Sequence, residues 1–149
     1  MGLWFDDCEV GLCIRHALTR TVTETDNLLF SVLTHNAQPL HLDAEVARRS
    51  EFGSIIVNSM FTYSLMVGVS VADTTLGTLV ANLGLEKLRT PMPVRIGDTL
   101  RIETTVLSKR PSQSRPGQGV VQFEHRAYNQ HGELVASCER TALLKSRAA

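Results

Sequence analysis

The spacing of hydrophobic residues in the first third of the chain predicts a strand followed by a helix. Segment 13–24 carries several β-branched residues, which suit a strand. Thr23 or Thr25 then offers an N-cap for a helix through the letters NLLFSVLT. Helical periodicity stops near His35, and Pro39 prevents its clean continuation, because proline lacks a backbone donor and restricts the residue before it.

The middle of the chain holds the longest predicted helix. Asp43 is expected to cap a short helical turn over the letters AEVARR. Residues 58–72 follow, and they are apolar nearly all round, which predicts a helix buried in the core. This segment is shorter than the ~20 residues that a membrane-spanning helix needs, so no membrane span is expected.

The second half of the chain has the alternation of polar and apolar residues that is typical of strands. The letters RTPMPVRIGD and NQHGE are rich in turn residues and separate the predicted strands. These strands cover 77–88, 99–110, 119–130 and 133–145. One buried helix ahead of a run of antiparallel strands predicts an α+β fold, in which a curved sheet wraps around the helix.

Composition narrows the class of protein. The chain has 149 residues, which predicts a single domain over 1–149. The formal net charge is zero, so a nucleic acid is not expected as a partner. The three cysteines have neither disulfide nor zinc spacing, and no metal site is expected. Without a signal peptide or a membrane span, the expected location is the cytoplasm.

The stretch VLTHNAQPLHLD, residues 32–43, resembles the signature of the MaoC-like, R-specific enoyl-CoA hydratases. That family carries a catalytic aspartate and a catalytic histidine around an Asn-Pro pair. The residues that match are Thr34, Pro39, Leu40 and His41. Asn36 stands where the family has its aspartate, His35 where it usually has glycine, and Gln38 where it has asparagine.

The resemblance extends from about residue 15 to about residue 145. FGSIIVNSMF resembles the start of the family's central helix, with Asn58 and Ser59 in place of His-Gly. The substitutions look closest to the itaconyl-CoA and mesaconyl-CoA hydratase branch. The resemblance implies a hotdog fold and a hydro-lyase that needs no cofactor besides the coenzyme A of its substrate.

His41 and Asn36 are the first two catalytic candidates. A histidine can take a proton from water and return it near neutral pH, and a hydrogen-bonded structural histidine is the alternative. Asn36 has no proton to exchange at that pH, so the expectation is that it orients the attacking water or the thioester. The alternative for Asn36 is a left-handed residue at the helix C-terminus.

Donors for the thioester oxygen are expected where the buried helix begins. The backbone N–H of Ser59 is the third catalytic candidate, since the first N–H groups of a helix lack intrahelical partners. Asn58 and Gln38 are candidate substrate-binding residues. Plain N-capping is the alternative for the side chains of Asn58 and Ser59.

Cations are needed if the acyl group carries a carboxylate or if the coenzyme A phosphates are bound. For the carboxylate, the candidates are Arg89, Arg95 and Arg15, among which the sequence does not choose. For the phosphates, the segment 108–117 offers Lys109, Arg110 and Arg115, and a solvated basic loop is the alternative.

Three functions compete at this point. The first is hydration of a short enoyl-CoA, such as itaconyl-CoA or mesaconyl-CoA. The second is a hotdog thioesterase, which the absence of an acidic residue at the helix start, VNSMFTYS, disfavours. The third is a non-catalytic protein that binds acyl thioesters. In each case a homodimer or a higher homo-oligomer is expected, because long strands with a solvent-exposed face need partners at the sheet edges.

Overall fold

A computed structural model describes residues 1–147 of the chain. A short 3₁₀ turn at Phe5–Asp7 precedes nine longer elements in the described residues. In chain order they are β1 (Cys13–Thr21), α1 (Glu24–Leu33), α2 (Pro39–Leu42), α3 (Ala44–Arg49), α4 (Ser59–Thr74), β2 (Leu79–Arg89), β3 (Thr99–Pro111), β4 (Gln118–Tyr128) and β5 (Leu134–Lys145).

The five strands form one antiparallel sheet in the order β1-β3-β4-β5-β2, with β1 and β2 at its edges. The alternation predicted for β3 is confirmed, because Leu100, Ile102 and Val106 point into the core while their neighbours are partly exposed. The sheet packs against α4, which gives the α+β hotdog architecture that the sequence predicts.

The central helix is longer and less buried than its sequence predicts. It has 16 residues, and its inner face includes Met66 and Val69, which belong to the main hydrophobic cluster. Its other face is open, and the side chain of Met60 is 51% exposed. The expectation of burial all round is therefore wrong for the single chain, because one sheet covers only one side of the helix. None of the helices within the described residues has the length and hydropathy to cross a membrane.

The structure confirms the two N-caps that were predicted near the signature. Thr23 caps α1: its hydroxyl accepts a hydrogen bond from the Asp26 N–H at 3.2 Å, and the Asp26 carboxylate accepts from the Thr23 N–H at 2.8 Å. Asp43 caps α3 by accepting from the Glu45 N–H at 2.9 Å. These caps fix both ends of the segment that carries the signature.

The end of α1 is a Schellman motif built around a left-handed histidine. The Asn36 N–H donates to the Ser31 carbonyl at 2.9 Å, and the His35 N–H donates to the Val32 carbonyl at 3.1 Å. The left-handed residue is His35, with φ of 55°, and not Asn36 as the alternative interpretation held. This backbone conformation explains why glycine is usual at position 35 in the family that the signature resembles.

We expect His35→Gly to stabilise the protein by about 0.5–1 kcal/mol, because glycine adopts positive φ without a steric penalty. Urea denaturation of both proteins measures the change in the free energy of unfolding. His131→Gly is the control, since φ at His131 is not positive and glycine there only adds freedom to the unfolded chain. Equal or lower stability of His35→Gly would contradict the expectation.

A row of polar side chains crosses the inner face of the sheet. It is absent from the sequence-based prediction, and each strand contributes one residue to it. In sheet order, the polar row consists of His16, Thr104, His125, Arg140 and Asn82.

Hydrogen bonds connect most of the polar row to α4. The Asp73 carboxylate and His16 Nδ1 lie 2.7 Å apart, and His16 Nε2 lies 2.7 Å from the Thr104 hydroxyl. The same hydroxyl lies 2.8 Å from His125 Nδ1, while His125 Nε2 has no partner among the described residues. On the other side, Arg140 Nε donates to the side-chain oxygen of Asn82 at 2.8 Å.

The polar row separates two hydrophobic clusters. The first packs under the middle of α4 and includes Ile102, Ala127 and Cys138. The second includes Val106 and Phe123 and packs against the N-terminal arm, residues 3–12. Along β3, for example, Ile102 belongs to the first cluster and Val106 to the second, and Thr104 of the polar row lies between them. The core therefore has two apolar compartments with a polar boundary.

Candidate active site

A cavity of about 270 Å³ opens where α2, the start of α4 and the turn after β2 meet. Its lining is mostly apolar and includes one histidine. The lining residues are His41, Phe52, Ile56, Val57, Ser59, Thr62, Thr90, Pro91, Met92, Pro93 and Val94. A concave apolar site with a few polar groups is the usual form of a small-molecule site.

The ring of His41 is held in one tautomer by the protein backbone. His41 Nδ1 lies 2.8 Å from the Ile56 carbonyl oxygen. A carbonyl oxygen only accepts hydrogen bonds, so Nδ1 carries a proton and donates it. In the neutral imidazole, Nε2 is then the nitrogen with a free lone pair, and it can accept a proton from a molecule in the cavity.

The backbone around His41 follows from the residues that precede it. Pro39 occupies the first position of α2, where the missing N–H has no consequence, so this proline starts a new helix. The side-chain oxygen of Asn36 accepts a hydrogen bond from the Gln38 N–H at 3.1 Å and closes a turn ahead of α2. Neither Asn36 nor Gln38 is among the cavity-lining residues, and their roles toward a substrate stay predictions.

The start of α4 forms another part of the cavity wall. Ser59 is the first residue of α4 and lines the cavity, so its N–H has no acceptor within the helix. The preceding residue, Asn58, is the N-cap, because its side-chain oxygen accepts from the Met60 N–H at 3.1 Å. Its side-chain nitrogen donates to the Ser31 hydroxyl at 3.3 Å. Both ends of the Asn58 amide are thus bonded within the protein, and Asn58 does not line the cavity.

The predicted arginines lie outside the cavity lining. Arg89 ends β2, next to the lining residue Thr90, and is exposed. Arg95 follows the lining residue Val94, and its guanidinium donates to the Phe52 carbonyl at 2.9 Å. Arg15 on β1 forms an ion pair with Glu103.

Arg115 lies far from the cavity within one chain. It belongs to the connection between β3 and β4, whose ends pair as Pro111 with Gly119. Gly119 in turn pairs with Leu144, and Leu144 pairs with Leu79 at the start of β2. The cavity lies beyond the other end of β2, so the 11 residues of that strand separate it from the basic loop.

Two polar residues at this site are absent from the sequence-based prediction. The Thr62 hydroxyl is buried, lines the cavity and has no hydrogen-bond partner within residues 1–147. Its spacing of three from Ser59 on one helix could have indicated a shared face. Asn27 is buried on α1 and bonds to the backbone of His41, as described below. Its only sequence signal is a polar residue beside the leucines of an apolar segment.

Comparison with known proteins identifies the family of this chain. The family model for the MaoC like domain matches residues 9–128. A mesaconyl-CoA hydratase of Cereibacter sphaeroides is 35% identical over 146 residues, which cover 98% of this chain and 42% of that protein. A mitochondrial 3-hydroxyacyl-(acyl-carrier-protein) dehydratase of Solanum lycopersicum is 30% identical over 138 residues, 93% of this chain and 78% of that protein.

A solved structure shows the same similarity in three dimensions. The MaoC-like dehydratase from Rhodospirillum rubrum is 32% identical and matches with a TM-score of 0.85 over 98% of this chain and 99% of that one. The chain spans less than half the length of the mesaconyl-CoA hydratase that it matches. Since the family model matches most of its residues, the chain belongs to the MaoC-like domain family.

Proposed function

We propose that the protein adds water to the double bond of a short enoyl-CoA thioester, and removes it in the reverse direction. The observation that carries this proposal is the tautomer of His41. Its Nδ1–H is committed to the Ile56 carbonyl, so Nε2 is a base beside an apolar cavity. The start of α4, which supplies free N–H groups, borders the same cavity.

The proposed reaction uses one proton carrier. His41 Nε2 takes a proton from a water molecule while the water oxygen bonds to the β-carbon of the enoyl group. The electrons of the double bond move toward the thioester, and the Ser59 N–H stabilises the negative charge on its oxygen. His41 then gives its proton to the α-carbon, so that one water has been added and the imidazole is neutral again.

Thr62 is the candidate for holding the water or the product hydroxyl. Its hydroxyl lacks a partner within the described residues, and a buried polar group without a partner costs about 1–3 kcal/mol. A water molecule or a hydroxyl in the cavity would remove that cost. Asn36 keeps its predicted role as an orienting group only if its free NH₂ reaches the substrate, since its oxygen is engaged by the Gln38 N–H.

The acyl group is proposed to be short. The mesaconyl-CoA hydratase relative supports the C5 branch, which includes itaconyl-CoA and mesaconyl-CoA. None of the described lining residues carries a positive charge, so a free carboxylate would have to be bound at the rim. Arg89 is the better rim candidate, because Arg95 is already bonded to the Phe52 carbonyl and to Ser54.

The test of the proposed function is direct. Purified protein is incubated with crotonyl-CoA and with mesaconyl-CoA, and loss of the enoyl absorbance is followed together with release of free thiol. Hydration removes the absorbance without releasing thiol, and the product gains the mass of one water. Thiol release would instead support a thioesterase, which the cavity disfavours because no aspartate or glutamate lines it within residues 1–147.

We expect Asn36→Asp to separate the two substrate types. The carboxylate keeps the acceptor for the Gln38 N–H, so the turn is preserved. An additional negative charge near the site disfavours a dicarboxylic acyl group. We therefore expect kcat/KM to fall for mesaconyl-CoA and to be unchanged or higher for crotonyl-CoA. Equal effects on both substrates would remove the link between asparagine at position 36 and a charged acyl group.

We also propose a homodimer that forms through β2. This edge strand pairs only with β5 among the described strands, and its exposed side chains include Leu83, Leu85 and Leu88. The exposed Met60 of α4 borders the same surface, in a groove that Leu85 also lines. Sedimentation at micromolar concentration should show a dimer, and Leu85→Lys should shift it toward the monomer. A stable monomeric wild type would contradict this proposal.

Such a dimer would give the basic loop a function. If β2 pairs with its copy in antiparallel fashion, the start of one strand lies beside the end of the other. The start of β2 borders a groove lined by Arg110 and Arg115, and the end of β2 borders the cavity. The loop of each chain would then lie near the cavity of the other, where its arginines can bind the coenzyme A phosphates.

A further inference from the structure

One buried amide connects the two walls of the cavity. Asn27 of α1 is 2% exposed. Its side-chain nitrogen donates to the His41 carbonyl oxygen at 2.9 Å, and its side-chain oxygen accepts from the Asn58 N–H at 2.9 Å. Asn27 therefore bonds both to the segment that carries the proposed base and to the residue that caps α4.

The two bonds act together with the bond from the His41 ring. His41 is held at its carbonyl by Asn27 and at Nδ1 by Ile56, two residues before Asn58. The short helix α2 has only four residues and cannot hold a fixed position by its own hydrogen bonds. Its position relative to the start of α4 therefore depends on these contacts.

We propose that Asn27 is a positioning residue that fixes the distance between His41 and the Ser59 N–H. This inference rests on the proposed hydration reaction. A proton carrier and an oxyanion donor must both meet the same small enoyl thioester, so a shift of either one lowers the rate. Asn27 lies outside the cavity lining and acts through the other two residues.

The chemistry of the side chain explains why asparagine is suited to this position. The two bonds require one donor and one acceptor on the same short side chain, and a primary amide has both. Aspartate could accept from the Asn58 N–H but would place a carboxylate oxygen against the His41 carbonyl oxygen. Serine is too short to reach both partners, and alanine would leave both buried groups without a bond.

The test compares Asn27→Asp and Asn27→Ser with a control, Val121→Ala. Val121 is fully buried in the second hydrophobic cluster, on the other side of the polar row from the cavity. All proteins are assayed with crotonyl-CoA at a temperature where each is folded by circular dichroism. We expect kcat to fall about 10- to 100-fold in both Asn27 variants, with KM changing less than about threefold. Val121→Ala should lose thermal stability and keep its kcat.

A second measurement does not depend on activity. In the wild type, NMR should detect the scalar coupling across the hydrogen bond from the Asn27 side-chain nitrogen to the His41 carbonyl, and the Asn58 amide should exchange slowly. In Asn27→Asp or Asn27→Ser, the His41 ring Nδ1–H signal should broaden or disappear as α2 loses its position. This measurement remains decisive if one variant does not fold, because the other variant and the wild type still report on the bond.

The outcomes distinguish failure of the proposed hydration reaction from failure of the positioning role of Asn27. An inactive wild type with an intact Asn27–His41 bond would refute the hydratase and leave the connection between the two walls established. An active wild type in which both Asn27 variants keep kcat, or lose it only as much as Val121→Ala, would overturn the positioning role. Loss of kcat with an unchanged His41 ring signal would overturn it as well.

Discussion

Replacing His41 with asparagine should lower the rate of hydration by about 10²- to 10⁴-fold, the usual range for loss of a general acid–base group. Asparagine is the most informative replacement, because its side-chain nitrogen can still donate to the Ile56 carbonyl in place of His41 Nδ1. The backbone of α2 should therefore keep its position, and only the proposed proton carrier is removed. Steady-state kinetics with crotonyl-CoA measure the effect.

The control for this experiment is another histidine. His131 lies in the exposed turn between β4 and β5, far along the chain from the cavity-lining residues. His131→Asn should keep the wild-type kcat/KM. Hydration that survives in His41→Asn with less than about a tenfold loss would assign the proton transfer to another group. Thermal unfolding of both variants shows whether any loss comes from the fold.

The protein should lose stability as the pH falls from about 6.5 toward 3, and His125 should contribute a large part of that loss. Burial, together with the positive charge of Arg140, lowers the pKa of His125 from 6.5 to about 3. In the unfolded chain, His125 regains its ordinary pKa and takes up a proton below about 6.5. The unfolded state then binds more protons than the folded state, so acid favours unfolding, by at most about 1.4 kcal/mol per pH unit for this one group.

The contribution of His125 can be isolated with His125→Gln. Glutamine does not titrate, and its amide can still bond to the Thr104 hydroxyl. We expect the free energy of unfolding of the wild type to fall more steeply than that of the variant between pH 6.5 and pH 4.5. The slopes are compared and not the absolute stabilities, because the substitution itself changes packing. Parallel slopes would show that His125 is not the group responsible.

The sequence predicts the elements of this fold where helix caps and strand periodicity determine them. Thr23 and Asp43 have the chemistry of helix caps, and the structure uses both in that way. The alternation in β3 needs only the period of a strand. The end of α1 was predicted near His35, but the left-handed conformation of that residue was not, because histidine carries no local signal for positive φ.

The parts of the site that depend on distant contacts were not predicted. The resemblance of the signature predicts that His41 is a catalytic residue. The structure places His41 in the lining of the cavity, to which Ser59 also belongs. The bond that selects its tautomer comes from Ile56, 15 positions away, and no local pattern indicates such a pairing. The same holds for the polar row, whose members come from five strands and look, one at a time, like ordinary strand residues.

The polar row also bears on how the shape of the proposed substrate cavity can change. Val57 and Val94 line the cavity and belong to the first hydrophobic cluster, while the N-terminal arm packs against the second. Hydrogen-bonded side chains lie between the clusters, so we expect the first cluster to accommodate a larger or smaller residue at the cavity. Substitutions can therefore change the shape of this cavity, the proposed acyl site, while the second cluster continues to stabilise the sheet.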